Sequence, residues 1–240
     1  MSIKMRRIIL LVCISLIALT TARSEETGQY KIELILFTPS NSQHGLSEYG
    51  SSEELWPNIE ETVELSLDPE QSHYLALSSA EMDLSGIGYR LERSPHFEVL
   101  QHLVWRQPGY NRNTASPIHV FGGTDLGIQF PERMPLTSIT PNPNRGTTKM
   151  APPTTRPLNQ FDGTVKITLE RYLHVYTDII FRHPTVLSEE QESDQEVEPT
   201  ISLVDYRVHG HRRMRSRELH YLDHPLLGIL VQITPLTGVQ

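Results

Sequence analysis

Cysteine is nearly absent from this chain of 240 residues, which contains only Cys13. Cys13 lies in an apolar run from Ile8 to Leu19, which follows three cations and precedes the small residues Thr20-Thr21-Ala22. This order predicts a secretory signal peptide over residues 1–22. The alternative is an uncleaved membrane anchor, but the run has about a dozen residues, whereas a spanning helix needs roughly 20.

Cleavage after Ala22 would leave a mature chain, residues 23–240, without cysteine. Disulfides, thiolate metal sites and a cysteine nucleophile are then all excluded. A lipid anchor on Cys13 is also disfavoured, because Val12 precedes it and further apolar residues follow it. We therefore predict a single exported domain that works outside the inner membrane.

Positive charge is scarce too. The formal net charge is −8, and removal of the three cations of the signal gives −11. Duplex nucleic acid is an improbable partner for such a chain, because Lys and Arg dominate phosphate binding. The chain also lacks the His-Glu-x-x-His, Gly-x-Ser-x-Gly and Ser-x-x-Lys motifs of common hydrolases, so we predict that it is not an enzyme.

Alternating and helical patterns predict the elements of the N-terminal half. Tyr30 to Phe37 and Phe97 to Arg106 read as strands, and Ile118 to Phe121 as a short strand. Between the first two, Ser78-Ser79-Ala80-Glu81 resembles a capping box, and apolar residues follow at helical spacing up to Leu91. The predicted order is therefore strand, helix, strand.

The clearest alternation runs from Thr164 to Arg182, where odd positions are mainly apolar and even positions mainly polar. It predicts one long strand or a bent pair of strands, with a helix as the competing interpretation. Two more strands are predicted after Pro199, the second from Leu226 to Ile233. No helix separates these segments, so we expect an α+β protein built mainly on antiparallel sheet, with one or two helices in its N-terminal half.

Two segments have the composition of flexible loops. Residues 131–160 include seven prolines between Pro131 and Pro157. Residues 186–199 contain six carboxylates, all between 188 and 198. Such a segment cannot bury enough apolar surface to offset the entropy lost on ordering.

Cationic side chains alternate along the strand that follows the acidic segment. Alternate strand residues share a face, so we predict a row consisting of Arg207, His209, His211, Arg213 and Arg215, with Arg217 beyond it. Guanidinium groups bind carboxylates in a planar, two-pronged geometry. The row is thus a candidate binding site for the carboxylates of peptidoglycan stems, unless it pairs with the acidic loop, which is the alternative.

Three rings, Tyr172, His174 and Tyr176, occupy the polar face of the long alternating segment. They are candidates for stacking on sugars, and the competing interpretation is aromatic pairing across strands. His209, His211, His220 and His224 also permit a metal site in principle. Neighbouring arginines would repel a divalent cation, so we predict no metal and no cofactor.

Several motifs together resemble the CsiV family of periplasmic peptidoglycan-binding proteins from gammaproteobacteria. The motifs are the run from Arg213 to Pro225, Arg171-Tyr172-Leu173-His174, Trp105-Arg106-Gln107-Pro108-Gly109, Trp56-Pro57 and the strand from Ile32 to Phe37. The resemblance covers most of residues 23–240, and 131–160 and 186–199 look like variable insertions.

The resemblance implies a non-enzymatic accessory factor of cell-wall synthesis and cell shape. CsiV-like proteins bind peptidoglycan and act with LpoA, an outer-membrane lipoprotein that activates a class A penicillin-binding protein. Two rival hypotheses remain: a factor that touches the wall only through LpoA, and a cell-wall hydrolase.

Overall fold

A computed structural model of the chain describes residues 28–40, 50–51, 53–133, 157–187 and 200–236. The predicted signal peptide, most of the proline-rich segment and the acidic segment lie outside these residues. The described part is mainly antiparallel β-sheet with one α-helix in its N-terminal half, which confirms the predicted fold class.

In these described ranges nine strands form two sheets, and every pairing between named strands is antiparallel. The strands are β1 (Gln29–Pro39), β2 (Leu75–Ala76), β3 (Phe97–Pro108), β4 (Ile118–Asp125), β5 (Asn159–Leu169), β6 (Leu173–Leu187), β7 (Thr200–Met214), β8 (Leu219–Leu222) and β9 (Gly228–Leu236). The first sheet has the order β2-β3-β1-β9-β8, and the second has the order β4-β5-β6-β7.

One apolar core joins the inner faces of both sheets. In the first sheet Ile32 lies opposite both Trp105 and Ile233, and all three side chains are fully buried. In the second sheet the buried odd positions Val165 and Val175 belong to the same core. The alternation in the sequence therefore marks the faces that meet between two packed sheets.

The predicted long strand from 164 to 182 is a hairpin of β5 and β6. Leu169 lies opposite Leu173, and residues 170–172 form the turn. A three-residue turn keeps odd positions opposite odd positions, so the apolar alternation passes through it without a break. Gly163 lies opposite Ile179, where a Cβ atom would come within 2.4 Å of that residue's Cα.

Helix α1 (Ser85–Glu92) covers the other face of the first sheet. Its residues Ile87 and Leu91, with the preceding Leu84, pack against Ile35 and Phe37 of β1. The capping box at Ser78 is present, but it caps a separate 3-10 turn at Ser79–Glu81.

The start of α1 is fixed by a carboxylate from the sheet. Glu33 is 1% exposed and accepts hydrogen bonds from the backbone N–H groups of Asp83 (2.7 Å) and Leu84 (2.9 Å). His102 Nε2 lies 2.7 Å from the same carboxylate. A charged strand residue therefore satisfies the free N–H groups ahead of the helix, and the helix begins after them.

Candidate functional site

The register of β6 and β7 brings the two predicted site rows onto one surface. His174 lies opposite Arg213, Tyr176 opposite His211, and Asp178 opposite His209. These positions are on the outer face of the second sheet, away from the main core. The cationic row and the ring row, derived from separate parts of the sequence, are thus neighbours.

Three rings form a stack across the two strands. The Tyr176 and His211 rings are 4.4 Å apart with 9° between their planes, and the His174 and His211 rings are 5.1 Å apart with 16° between theirs. Nδ1 of His174 and Nε2 of His211 are 2.9 Å apart, so they can share one proton. Tyr176 and His174 of β6 thus stack on His211 of β7, which is the aromatic pairing across strands that competed with stacking on sugars.

Burial, His174 and Arg112 together lower the pKa of His211. The imidazole of His211 is therefore mainly neutral at pH 7. The positive charge of this surface comes from arginines.

Three arginines surround the rings. The Arg112 guanidinium carbon lies 5.0 Å from the Tyr176 ring centroid, and its Nη2 donates to the Tyr176 hydroxyl at 2.6 Å. Arg213 lies 4.7 Å and Arg171 5.6 Å from the centroid of Tyr172, which is 39% exposed. We call the set formed by Arg112, Arg171, Tyr172, His174, Tyr176, His211 and Arg213 the arginine–aromatic ledge.

These three arginines keep their charge available. Among the residues that the structure describes, no carboxylate forms an ion pair with Arg112, Arg171 or Arg213. All three are exposed. Arg112 uses Nη2 on Tyr176, and its other N–H groups remain to donate. Guanidinium groups fixed against aromatic rings in this way are suited to binding carboxylates.

The rest of the predicted cationic row differs from the ledge. Arg207 uses its guanidinium fork on Asp178, with Nε and Nη2 each 2.7 Å from a carboxylate oxygen. This hydrogen-bonded pair raises the pKa of Arg207. His209 is exposed beside the pair.

Arg215 and Arg217 lie beyond the end of β7, which is at Met214. Arg215 is 3.6 Å from Glu218. Arg217 occupies the turn before β8 with a φ of 65°, and its backbone N–H donates to the carbonyl of Ile233 at 2.7 Å. These two arginines therefore do not continue the alternating row that the sequence predicted.

Sequence reasoning missed Arg112 and Arg171 as site residues. Arg112 lies in the connection between β3 and β4, and only the fold places it against Tyr176, 64 positions later. Arg171 adjoins Tyr172 in the quoted family motif, and this motif was the only signal for it in the sequence.

Within the described ranges, no group of three or more His, Cys, Asp or Glu side chains could hold a metal ion. No helix in the same part of the chain is long and apolar enough to cross a membrane.

The described residues therefore form a protein of two packed antiparallel sheets with an exposed arginine–aromatic ledge on the outer face of the second sheet. More specifically, the chain belongs to the CsiV family, described as peptidoglycan-binding protein, whose model matches residues 8–236. This match confirms the resemblance seen in the sequence. No curated protein and no solved structure matches the chain.

Proposed function

We propose that this protein is a non-enzymatic periplasmic factor that binds peptidoglycan directly through the arginine–aromatic ledge. Membership of a family described as peptidoglycan-binding supports this proposal. The observation that carries it is the presence of three exposed arginines, held against tyrosine rings, without ion-pair partners among the described residues. Because no carboxylate among the described residues pairs with these arginines, an anionic ligand can bind them without displacing one.

The stem peptides of peptidoglycan fit this surface chemically. Each stem presents free carboxylates that can accept two parallel hydrogen bonds from one guanidinium. The exposed edges of Tyr172 and Tyr176 flank the arginines and can contact the adjoining apolar part of a ligand. We further propose that the bound factor acts with the lipoprotein LpoA to support a class A penicillin-binding protein, as the family resemblance implies.

Co-sedimentation with isolated sacculi tests direct binding. Protein purified from the periplasm should sediment with sacculi at low salt, and the bound fraction should fall as salt rises, because exposed charges are screened. Protein that stays in the supernatant at low salt would contradict the proposal.

Two further arms separate the rival hypotheses. Sacculi from cells without LpoA should still bind the protein, whereas a factor that reaches the wall only through LpoA would lose sedimentation. Labelled peptidoglycan should release no soluble product, with or without chelator. Product release would indicate a cell-wall hydrolase instead.

A further inference from the structure

A second surface feature, separate from the ledge, lies on the outer face of the second sheet near β4 and β5. It is a cleft of about 360 Å³, lined by the side chains of Trp56, Glu64, His119, Phe121 and Asp162, among others. Volumes of about 300–1,000 Å³ are typical of small-molecule sites. The cleft combines aromatic walls with a small number of hydrogen-bonding groups.

The aromatic walls are unusually exposed. Trp56 is 44% and Phe121 is 45% exposed, whereas Trp105, the other tryptophan of the chain, is fully buried. Large rings left in contact with water at the mouth of a cleft stabilise the fold little. They provide flat apolar surface for a ligand.

A buried ionic cluster holds Trp56 in place. The N–H of Leu55 donates to Oδ2 of Asp205 at 2.8 Å, and Nη2 of Arg182 donates to the carbonyl of Leu55 at 3.3 Å. Arg182, which is 1% exposed, also lies 5.0 Å from the Trp56 ring centroid. Arg133 Nη2 completes the cluster 2.8 Å from Asp205 Oδ2.

Burying these charges is costly, and replacing such clusters with apolar residues is often neutral or stabilising. The cluster therefore gains little stability for the fold. The cluster instead fixes the backbone N–H and carbonyl of Leu55. It thereby fixes the orientation of the neighbouring half-exposed indole of Trp56. Such a preorganised ring loses little entropy when a ligand binds.

On the opposite wall, the backbone at the end of β4 positions Phe121. Gly123 has a φ of 75°, and a Cβ atom there would approach Gln160 to 2.6 Å, so only glycine fits the irregular end of the strand. The Phe121 ring packs 4.7 Å from the His119 ring. His119 Nε2 in turn lies 2.7 Å from Asp162 Oδ1.

These features point to a neutral ligand with one apolar face and polar edges. The Asp162 carboxylate lies 2.7 Å from Nε2 of His119, and it opposes the lowering of the pKa of Arg182 that burial causes. Arg182 also faces the Trp56 ring and so disfavours a second cation there. The carboxylates of Glu64 and Asp162 disfavour an anion.

We propose that the cleft binds a pyranose ring of a glycan. The C–H face of a sugar would pack on Trp56 and Phe121, and its hydroxyl or acetamido groups would hydrogen-bond with His119 and Asp162. The inference deepens the proposed function and rests on it for the identity of the glycan, which is the sugar backbone of peptidoglycan.

The cleft and the ledge lie on the same face of the second sheet. Asp162 and Lys166 are about 13 Å apart along β5, and Lys166 lies opposite Tyr176 of the ledge. One sheet face can thus hold a sugar at the cleft and its peptide at the ledge.

Titration with chitotetraose, a neutral oligomer of N-acetylglucosamine, tests the cleft alone, since this probe has no carboxylate for the ledge. Trp56 is the only exposed tryptophan, so intrinsic fluorescence should report saturable binding from the cleft. Phe121→Ala keeps the reporter and should raise the dissociation constant about tenfold or more, the loss expected for an aromatic binding anchor. Trp56→Ala should raise the dissociation constant by a similar factor. Because this variant lacks the fluorescent reporter, its binding is measured by calorimetry.

A matched variant makes the outcome specific. Tyr89 on α1 is another exposed aromatic residue, and the guanidinium of Arg93 lies over its ring as that of Arg182 lies over Trp56. Tyr89→Ala should therefore leave chitotetraose binding unchanged. Thermal melts of each variant confirm folding.

Three results would overturn the inference. The first is no saturable fluorescence response up to about 10 mM chitotetraose, a concentration above the dissociation constants of most specific sites. The second is a response that Phe121→Ala leaves intact, and the third is a response to a small diamine, which would indicate a cation site instead of a sugar site. If the protein still sediments with sacculi in these cases, direct wall binding stands and only the cleft assignment fails. Chitotetraose binding by a protein that does not sediment would support the sugar site and contradict the ledge.

Discussion

Tyr176 and His211 lie directly opposite each other in β6 and β7, with parallel rings 4.4 Å apart. The two faces that these rings turn towards each other are therefore closed to a sugar. The groups at this surface that remain available are the guanidiniums of Arg112, Arg171 and Arg213. This arrangement supports the proposal that the ledge binds an anion, with its rings orienting the arginines.

Removal of the ledge arginines should weaken binding to sacculi. Arg112→Ala and Arg213→Ala should each raise the apparent dissociation constant about tenfold, since hydrogen bonds to charged groups contribute about 1.5–3 kcal/mol. The double change Arg213→Glu with Arg215→Glu should have a larger effect, because it places two carboxylates beside the site. Co-sedimentation over a range of protein concentrations measures these effects.

Arg90→Ala is the matched control, because Arg90 is an exposed arginine on α1, on the far side of the first sheet. It should sediment like the unchanged protein. If Arg90→Ala weakens binding as much as Arg112→Ala does, attraction by overall charge explains the binding and the ledge does not.

Asp178 should restrain the ledge, because its carboxylate occupies the fork of Arg207 at 2.7 Å. Asp178→Ala should free Arg207 and tighten binding to sacculi up to about fivefold, the affinity equivalent of an exposed ion pair of roughly 1 kcal/mol. Stability should fall by less than about 1 kcal/mol for the same reason. Arg207→Ala in the same chain should abolish the gain. Tighter binding in the double variant would show that removal of the negative charge, rather than release of Arg207, is responsible.

The sequence pattern predicted the strands well because a strand's period depends only on neighbouring residues. It predicted neither the hairpin turn at 170–172 nor the sheet to which the last strand belongs. The turn preserves the alternation on both sides of it. Gly228–Leu236 pairs with Gln29–Pro39 near the other end of the chain, a contact that periodicity does not encode.

The same reasoning explains which site residues were found. His211 and Arg213 were predicted because they alternate on one strand, and the register then brought them opposite Tyr176 and His174. Arg112 was missed since it belongs to an irregular connection with no period. The roles of the predicted residues in binding remain predictions that the sedimentation experiments test.

Glu33 lies in β1, and its buried carboxylate holds the start of α1. Glu33→Ala should lower the free energy of unfolding by about 3 kcal/mol, because it leaves two N–H groups and His102 without their acceptor. Amide exchange should rise most in α1. Denaturant unfolding measures the loss in the free energy of unfolding. Glu92→Ala, an exposed change at the end of the same helix, is the control and should lower that free energy far less. Equal losses for both variants would contradict this role for Glu33.

Arg217 should be replaceable by glycine with a gain in stability. Its φ of 65° is in the left-handed region, which is unfavourable for a residue with a Cβ atom. Arg217→Gly should raise the free energy of unfolding by roughly 0.5–1 kcal/mol, after the greater flexibility of glycine in the unfolded chain is subtracted. Arg215→Gly, at a position without positive φ, should be destabilising. A loss of stability in Arg217→Gly would indicate that the side chain has contacts more important than the strain.

Acid should destabilise the protein through His224. Burial lowers the pKa of His224, partly opposed by Asp223, and Nδ1 of its imidazole accepts a hydrogen bond from the N–H of Leu226 at 3.3 Å. Burial also lowers the pKa of His183. The folded state thus holds both imidazoles neutral at a pH at which the unfolded chain already binds protons.

The sign of the pH dependence follows from this difference. When the unfolded state binds more protons, stability rises with pH. The contribution of His224 is therefore complete above the ordinary histidine pKa of about 6.5 and is lost as the pH falls from there towards the folded-state value. Urea unfolding at about pH 7.5 and pH 5.5, which bracket that pKa, should show the loss.

His224→Asn isolates the contribution, because an amide oxygen can accept the same backbone hydrogen bond but does not titrate in this range. The variant should lose less stability than the unchanged protein between the two pH values, and the remaining loss should include that of His183. If the two proteins lose equal stability, His224 titrates alike in the folded and unfolded states, and its hydrogen bond to Leu226 does not control the acid response of the fold.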